Sequence, residues 1–217
     1  MIYLLLMTLQ SDEYQTLASN SQGFFKDRGS KFFAHAFPVS QEEEIKEILK
    51  DLRKEFHDAR HHCYAYRLGA GKLIYRANDD GEPSSSAGKP ILGQILSYDL
   101  TDILIVVIRY FGGTLLGVPG LINAYRSAAK DAIENGEIII KTVNDILLVR
   151  FDYLEMNNVM RIIKEEQPKM IHQAYDLECL IHLEVRRSHT SRLVKKLKKI
   201  DKAEVKVIET KALDNCE

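Results

Sequence analysis

Ile45, Ile48, Leu49, Leu52 and Phe56 recur at helical spacing, and Ser40-Gln41-Glu42-Glu43 before them has the Ser-x-x-Glu form of a capping box, so a helix is predicted over 41–56. Upstream, residues 31–39 (KFFAHAFPV) are rich in β-formers. Downstream, residues 63–68 (CYAYRL) alternate apolar and polar and run into Gly69-Ala70-Gly71, which predicts a hairpin with 73–76. Residues 78–90 have no apolar period and concentrate Asn, Asp, Gly and Pro, the pattern of a long loop; a short helical pattern resumes over 91–96. The apolar run 103–108 is mostly β-branched and too short for a helix, which predicts a strand buried on both faces. It ends in Arg109-Tyr110-Phe111-Gly112-Gly113. Leu121, Ala124, Tyr125, Ala128 and Ala132 then place a helix over 119–134, with Pro119 in its first turn and Asn135-Gly136 as its stop.

Beyond about residue 142 the pattern changes. A strand at 146–151, a helix at 154–166, two tightly joined strands at 170–175 and 179–185, a helix at 189–200 and a strand at 203–208 follow one another. That β-α-β-β-α-β order is the split βαβ arrangement of a ferredoxin-like domain. The expected fold is therefore α+β in two domains, 1–140 and 141–217, with the boundary near 138–143 and residues 138–140 closing the first. Charge follows the same division: 141–217 hold 15 basic and 13 acidic side chains, against 15 and 18 before them.

With 28% charged residues and a net charge of −1, the chain has no global basic field, so a nucleic-acid partner would have to be met by a local patch. Cys63, Cys179 and Cys216 are widely spaced and form no CxxC pair, which disfavours a disulfide framework or a zinc knuckle and points to the reducing cytoplasm. The apolar stretch 2–7 falls far short of the ~20 residues of a membrane span and lacks a signal peptide's basic flank. It reads as an extra strand or as a consequence of start-site choice, since Met7 offers a second start.

Two segments lead the candidates for chemistry. In 79–90, small residues, Lys89 and a following helix could make a backbone nest for an anion, with Asp79, Asp80, Gly81, Glu82, Ser84 and Gly88 around it. Six residues separate Gly81 from Gly88 and Pro90 stands where a Walker loop needs Ser or Thr, so it is not that motif. The structural alternative is an Ω-loop capped by its own Asp and Ser side chains. The second segment is Arg109 and Tyr110 leading into Gly112 and Gly113, whose glycines would admit a ligand close to the backbone; Arg109 could equally be a structural cation answering Asp79, Asp80 or Glu82. The two segments are expected to lie side by side and form one cleft.

Other signals are weaker. His57, His61, His62 and Cys63 lack metal-ligand spacing, and Ser84, Ser85 and Ser86 lack a nucleophile elbow, so neither a metal, a cofactor nor a catalytic residue is assigned. Arg192, Lys195, Lys196 and Lys199 lie opposite Leu193, Val194, Leu197 and Ile200 on a helix; this is a solvated face or a phosphate-contacting one, without aromatic residues for base readout.

Residues 29–39 (GSKFFAHAFPV), 62–68 (HCYAYRL), 79–92 (DDGEPSSSAGKPIL) and 106–124 (VVIRYFGGTLLGVPGLINA) together resemble the IMPACT/YigZ family. Ser84-Ser85-Ser86 replaces the family's usual Ser-Gly-Thr, and Val118-Pro119-Gly120 its Ala-Gly-Gly. The resemblance implies an N-terminal domain similar to the second domain of small-subunit ribosomal protein five, and a C-terminal one similar to the last domain of elongation factor G. It also implies a cytoplasmic, non-catalytic binding protein tied to translation, in contact with RNA, the ribosome or a translation-related protein. Eukaryotic relatives regulate initiation by competing for an activator of the general amino-acid control kinase, a pathway bacteria lack. The alternative is an enzyme acting on a small anionic or phosphorylated substrate in the cleft.

Overall fold

The computed structural model describes residues 12–175 and 178–214, with the side chains of 209–214 left out. The predicted apolar stretch 2–7 lies outside the described residues. The chain divides into two compact units, one of residues 14–140 and one joining Asp12 and Glu13 to the residues from 141 onward. The architecture is mixed α+β, with two sheets and five α-helices among the described residues.

The first unit contains β1 (Glu13–Leu17), β2 (Ser21–Asp27), β3 (Ser30–Pro38), α1 (Glu42–Glu55), β4 (His61–Leu68), β5 (Ile74–Asn78), α2 (Gly88–Ser97), β6 (Ile103–Tyr110) and α3 (Gly117–Glu134). Its antiparallel sheet runs β2-β3-β6-β4-β5. The central β6 is buried on both faces. Ile103, Ile105 and Val107 join one core with Ile91 and Ile95 of α2 and Leu121, Ala124 and Tyr125 of α3. Leu104, Val106 and Ile108 join the opposite core with Ile45 and Leu52 of α1. Two-sided burial explains why this strand reads as an unbroken apolar run.

Among the element starts that differ from expectation, two are set by side-chain contacts to the first turn. Helix α1 begins at Glu42 with Gln41 as the flanking residue, so the reciprocal contact of the capping box falls one position later. The Ser40 hydroxyl donates to Glu44 at 2.8 Å, and the Ser40 amide donates to the same carboxylate at 3.1 Å. Helix α2 begins at Gly88 rather than 91, shortening the loop to 79–87. Its cap comes from Asp79, nine residues upstream of Gly88, as described below.

The second unit contains most of β7 (Ile138–Phe151), then α4 (Met156–Glu166), β8 (Lys169–Tyr175), β9 (Cys179–Arg186), α5 (Arg187–Leu197) and β10 (Glu204–Asp214). The strands run β10-β7-β9-β8, each of these pairs antiparallel, and β1 is the fifth strand of this sheet, also joined to the long β7. Leu147, Val149, Ile181 and Leu183 pack with Val159, Ile163, Leu193 and Leu197 of the two helices. The division between units falls between Ile140 and Lys141, inside β7, so no linker marks it. Among the described residues, no helix is long and apolar enough to cross a membrane.

Candidate functional site

The acidic loop spends its polar groups on itself. Asp79 Oδ1 accepts the amides of Ala87 (3.0 Å) and Gly88 (2.8 Å), and Oδ2 accepts that of Ser85 (2.8 Å). These are the amides at the start of α2, so the predicted anion nest exists but is filled by a carboxylate of the same loop. Burial alone would raise the Asp79 pKa; the three amides outweigh it and hold the carboxyl below its ordinary value. Asp80 accepts from Arg53 at 2.9 Å and from the His62 amide at 2.7 Å. Ser84 and Lys89 are exposed, and Gly81 abuts the His61 ring. Gly88 is needed for packing, because a Cβ there would stand 2.5 Å from the Asn78 nitrogen.

Behind the loop lies a buried polar cluster. Arg109 Nη1 donates to Glu82 Oε1 at 2.6 Å, and the Tyr125 hydroxyl donates to the same oxygen at 2.8 Å. The Cys63 thiol donates to the Asp79 carbonyl at 2.9 Å and lies 3.3 Å from the Tyr125 hydroxyl. Burial pushes both the Cys63 thiol and the Tyr125 phenol well above their ordinary values, so both stay protonated and neither is a ready nucleophile or base. The Arg109 guanidinium lies between the rings of Phe32 and Phe111, 5.6 and 5.7 Å from their centroids, and its Nε has no hydrogen-bond partner. Cys63 and Tyr125 belong to this cluster although in the sequence Tyr125 stands out only as an apolar-face position of a helix and Cys63 only beside three histidines without metal-ligand spacing; no polar pattern joins the two.

The open cleft, about 470 Å³, is lined by Arg109, Tyr110, Phe111 and Leu115 on one side and by residues 58–61 on the other. The opposing wall is thus the segment between α1 and β4, not the loop 79–87, which sits behind Arg109 as support. The sheet register explains the placement, since His61 of β4 pairs directly with Arg109 of β6 and both side chains leave the same face. His61 Nδ1 lies 2.9 Å from the Asp80 carbonyl; a carbonyl can only accept, so in the neutral ring Nδ1 carries the proton and Nε2 the lone pair. The Tyr110 hydroxyl donates to Asp58 at 2.7 Å, which holds that carboxyl below its ordinary value and pushes the phenol up to about 12. Phe111 and Leu115 are 57% and 81% exposed, so the cleft carries apolar surface as well as charge.

Gly112 does not open the backbone to a ligand as expected. A Cβ there would fall 1.9 Å from the Gly29 carbonyl carbon, and its amide donates to Ser30 Oγ at 3.1 Å. Gly113 takes a positive φ of 86° with open space around it. Among the described residues, no group of three metal-ligating side chains comes together; α1 ends at Glu55, so His57 and His61 do not share a helical face.

The basic face of α5 is partly neutralised. Arg192 pairs with Glu166 at 2.7 Å, and Lys196 pairs with Glu166 at 2.6 Å and Glu165 at 3.2 Å. The hydrogen bond from Lys196 is the main cause that holds Glu166 below its ordinary value. The shallow groove beside Lys196 and Lys199 also holds Glu155, Glu165 and Asp201. A phosphate approaching it meets carboxylates as well as cations, and of the four predicted contacts Lys195 and Lys199 are the more available.

Residues 28–133 match the family described as "Impact N-terminal domain". The chain is similar to "IMPACT family member YvyE" of Bacillus subtilis, 34% identical over 157 residues that span 71% of this chain and 72% of that one. It is similar to "IMPACT family member YigZ" of Escherichia coli, 32% identical over 73% of this chain and 77% of that one. Against "Protein IMPACT" of Xenopus laevis, 96 residues are 40% identical, 42% of this chain and 30% of the other. A solved structure described as "Crystal structure of an hypothetical protein" superposes with a TM-score of 0.67 and 26% identity, over 92% of this chain and 98% of that one.

Proposed function

Because the chain belongs to the IMPACT family, we propose that it is a non-catalytic binding protein that regulates translation from the cytoplasm, meeting RNA, the ribosome or a translation-related protein through the cleft of its N-terminal unit. The supporting observation is one of placement. Every residue lining the cleft, and the Glu82 and Tyr125 that brace Arg109 behind it, falls within the family-matched segment 28–133. The basic helix α5 falls outside that segment, and two of its cations are already paired. The β-α-β-β-α-β order of the second unit supports the finer likeness to the last domain of elongation factor G, with the first unit resembling the second domain of ribosomal protein five. A second reading, an enzyme for a small anionic substrate, draws on the His61 Nε2 lone pair beside Arg109.

Co-sedimentation with ribosomes on sucrose gradients at low salt tests the proposal. The wild-type chain is expected in the ribosomal fractions, a Leu115→Asp variant at the top of the gradient, and a Lys195→Glu/Lys199→Glu variant still with the ribosomes. Failure of the wild type to co-sediment removes the ribosome as the partner, and loss confined to the helix variant overturns the cleft as the contact surface.

A further inference from the structure

The cleft combines four features that a single ligand can use together. Phe111 offers a ring face, its other side lying against the Arg109 guanidinium. Leu115 extends the apolar surface. Arg60 is exposed on the opposing wall, where an anion can be met in two-toothed fashion. Asp58, ionised and steadied by the Tyr110 hydroxyl, faces the same space as an acceptor. A bare phosphate would use Arg60 but be repelled by Asp58 and leave the aromatic face unused. A simple hydrophobe would leave the charges unpaired. From this arrangement we infer that the cleft binds a nucleoside monophosphate unit, with the base stacked on Phe111, the phosphate on the exposed Arg60, and a ribose hydroxyl or exocyclic amine donating to Asp58. The volume of about 470 Å³ lies in the range that small-molecule sites occupy. The inference rests on placing the contact site in this cleft, and deepens that reading by naming what the site recognises.

The unit can come from a free nucleotide or from the phosphorylated end of an RNA strand. Calorimetric titration of the full chain with the four nucleoside 5′-monophosphates, adenosine, inorganic phosphate and a short 5′-phosphorylated oligoribonucleotide separates these. At least one mononucleotide is expected to bind one-to-one and more tightly than adenosine or phosphate. Phe111→Ala and Arg60→Ala are each expected to weaken it about tenfold, since stacking on an aromatic side chain contributes on that scale. Phe111→Tyr is expected to retain binding; it and Arg60→Ala are expected to keep the wild-type melting midpoint, because Arg60 is exposed and Tyr keeps the ring against Arg109, so the Tyr variant serves as the control for any stability lost in Phe111→Ala. Tighter binding of the oligonucleotide, lost in the same variants, identifies a strand end; equal or weaker binding identifies the free nucleotide. Both outcomes support the inference. No binding of any nucleotide or oligonucleotide at millimolar concentration, phosphate binding as tightly as the nucleotides, or indifference to Phe111→Ala and Arg60→Ala overturns it. A chain that binds nucleotide but ignores ribosomes removes the ribosome as partner while leaving this inference standing, and one that binds ribosomes but no nucleotide overturns this inference while leaving the translation reading standing.

Discussion

The segments 79–90 and 109–113 both stood out in the sequence as small-residue, glycine-bearing stretches beside a buried strand; in the structure the loop 79–87 and the turn 111–116 that they become do opposite jobs. In the loop, Asp79 caps a helix, Asp80 ties Arg53 to β4, and Glu82 answers a buried cation. In the turn, Phe111 and Leu115 stand exposed with no such closure. Richness in polar residues therefore says little about which segment meets a ligand. The informative quantity is what remains unspent after the protein's own donors and acceptors have been matched.

This contrast is broken most forcefully at Glu82. Glu82→Ala strands the buried Arg109 and removes the acceptor of the Tyr125 hydroxyl, so unfolding in urea should show a loss of about 3–5 kcal/mol. Asp79→Ala should cost about 2–3 kcal/mol, through three amides left without their acceptor, and Asp79→Asn should recover part of it by keeping one oxygen in place.

Acid should then weaken the first unit in two stages. His62, 4% exposed, is lowered from its ordinary 6.5 by burial and by Arg53, with Asp80 opposing. His35, 9% exposed, is lowered by burial, with Glu55 opposing. For each, the unfolded chain takes up the proton first, so stability is full well above pH 6.5 and falls as pH drops through and below it, by about 1.4 kcal/mol per unit at most for each ring. Asp79, also lowered, adds stability that is present above about pH 4 and lost as pH falls further. Denaturation midpoints measured from pH 7.5 to 3.5 should bend twice; a flat profile between 7 and 5 would remove the histidine stage. At the small end, Leu115→Ala and Arg60→Ala should change stability by no more than about 0.5 kcal/mol, and a larger loss would move the turn into the structural class with the loop.

How much could be read beforehand follows the same physics. β6 was legible because burial on both faces left nothing but apolar residues. The need of Arg109 for a counter-charge was legible because a cation at the end of such a run cannot stay unpaired. β2 was not marked by the pattern, since its buried positions include Ser21 and Gly23 while Phe24 points outward, inverting the usual alternation beneath α3. Residues 58–61 carry no pattern that singles them out in the sequence, and only the cross-strand register of His61 with Arg109 turns them into a wall. The salt bridges of Arg192 and Lys196 join α4 to α5, a pairing between elements that one helix's charge pattern does not contain.

The Gly29–Gly112 contact shapes what a mutational scan of this protein would show. Gly112 faces the Gly29 backbone with no room for a side chain, and Gly29, at a φ of 83°, faces the Gly112 carbonyl in return. Both positions should reject every replacement under selection for folding alone, while Gly113 next door, with space around it, should be limited only by its backbone conformation. Intolerance at Gly112 would therefore record two turns touching, and the tolerant residues around it, Phe111 and Leu115 first, are where selection for activity would leave its own separate imprint.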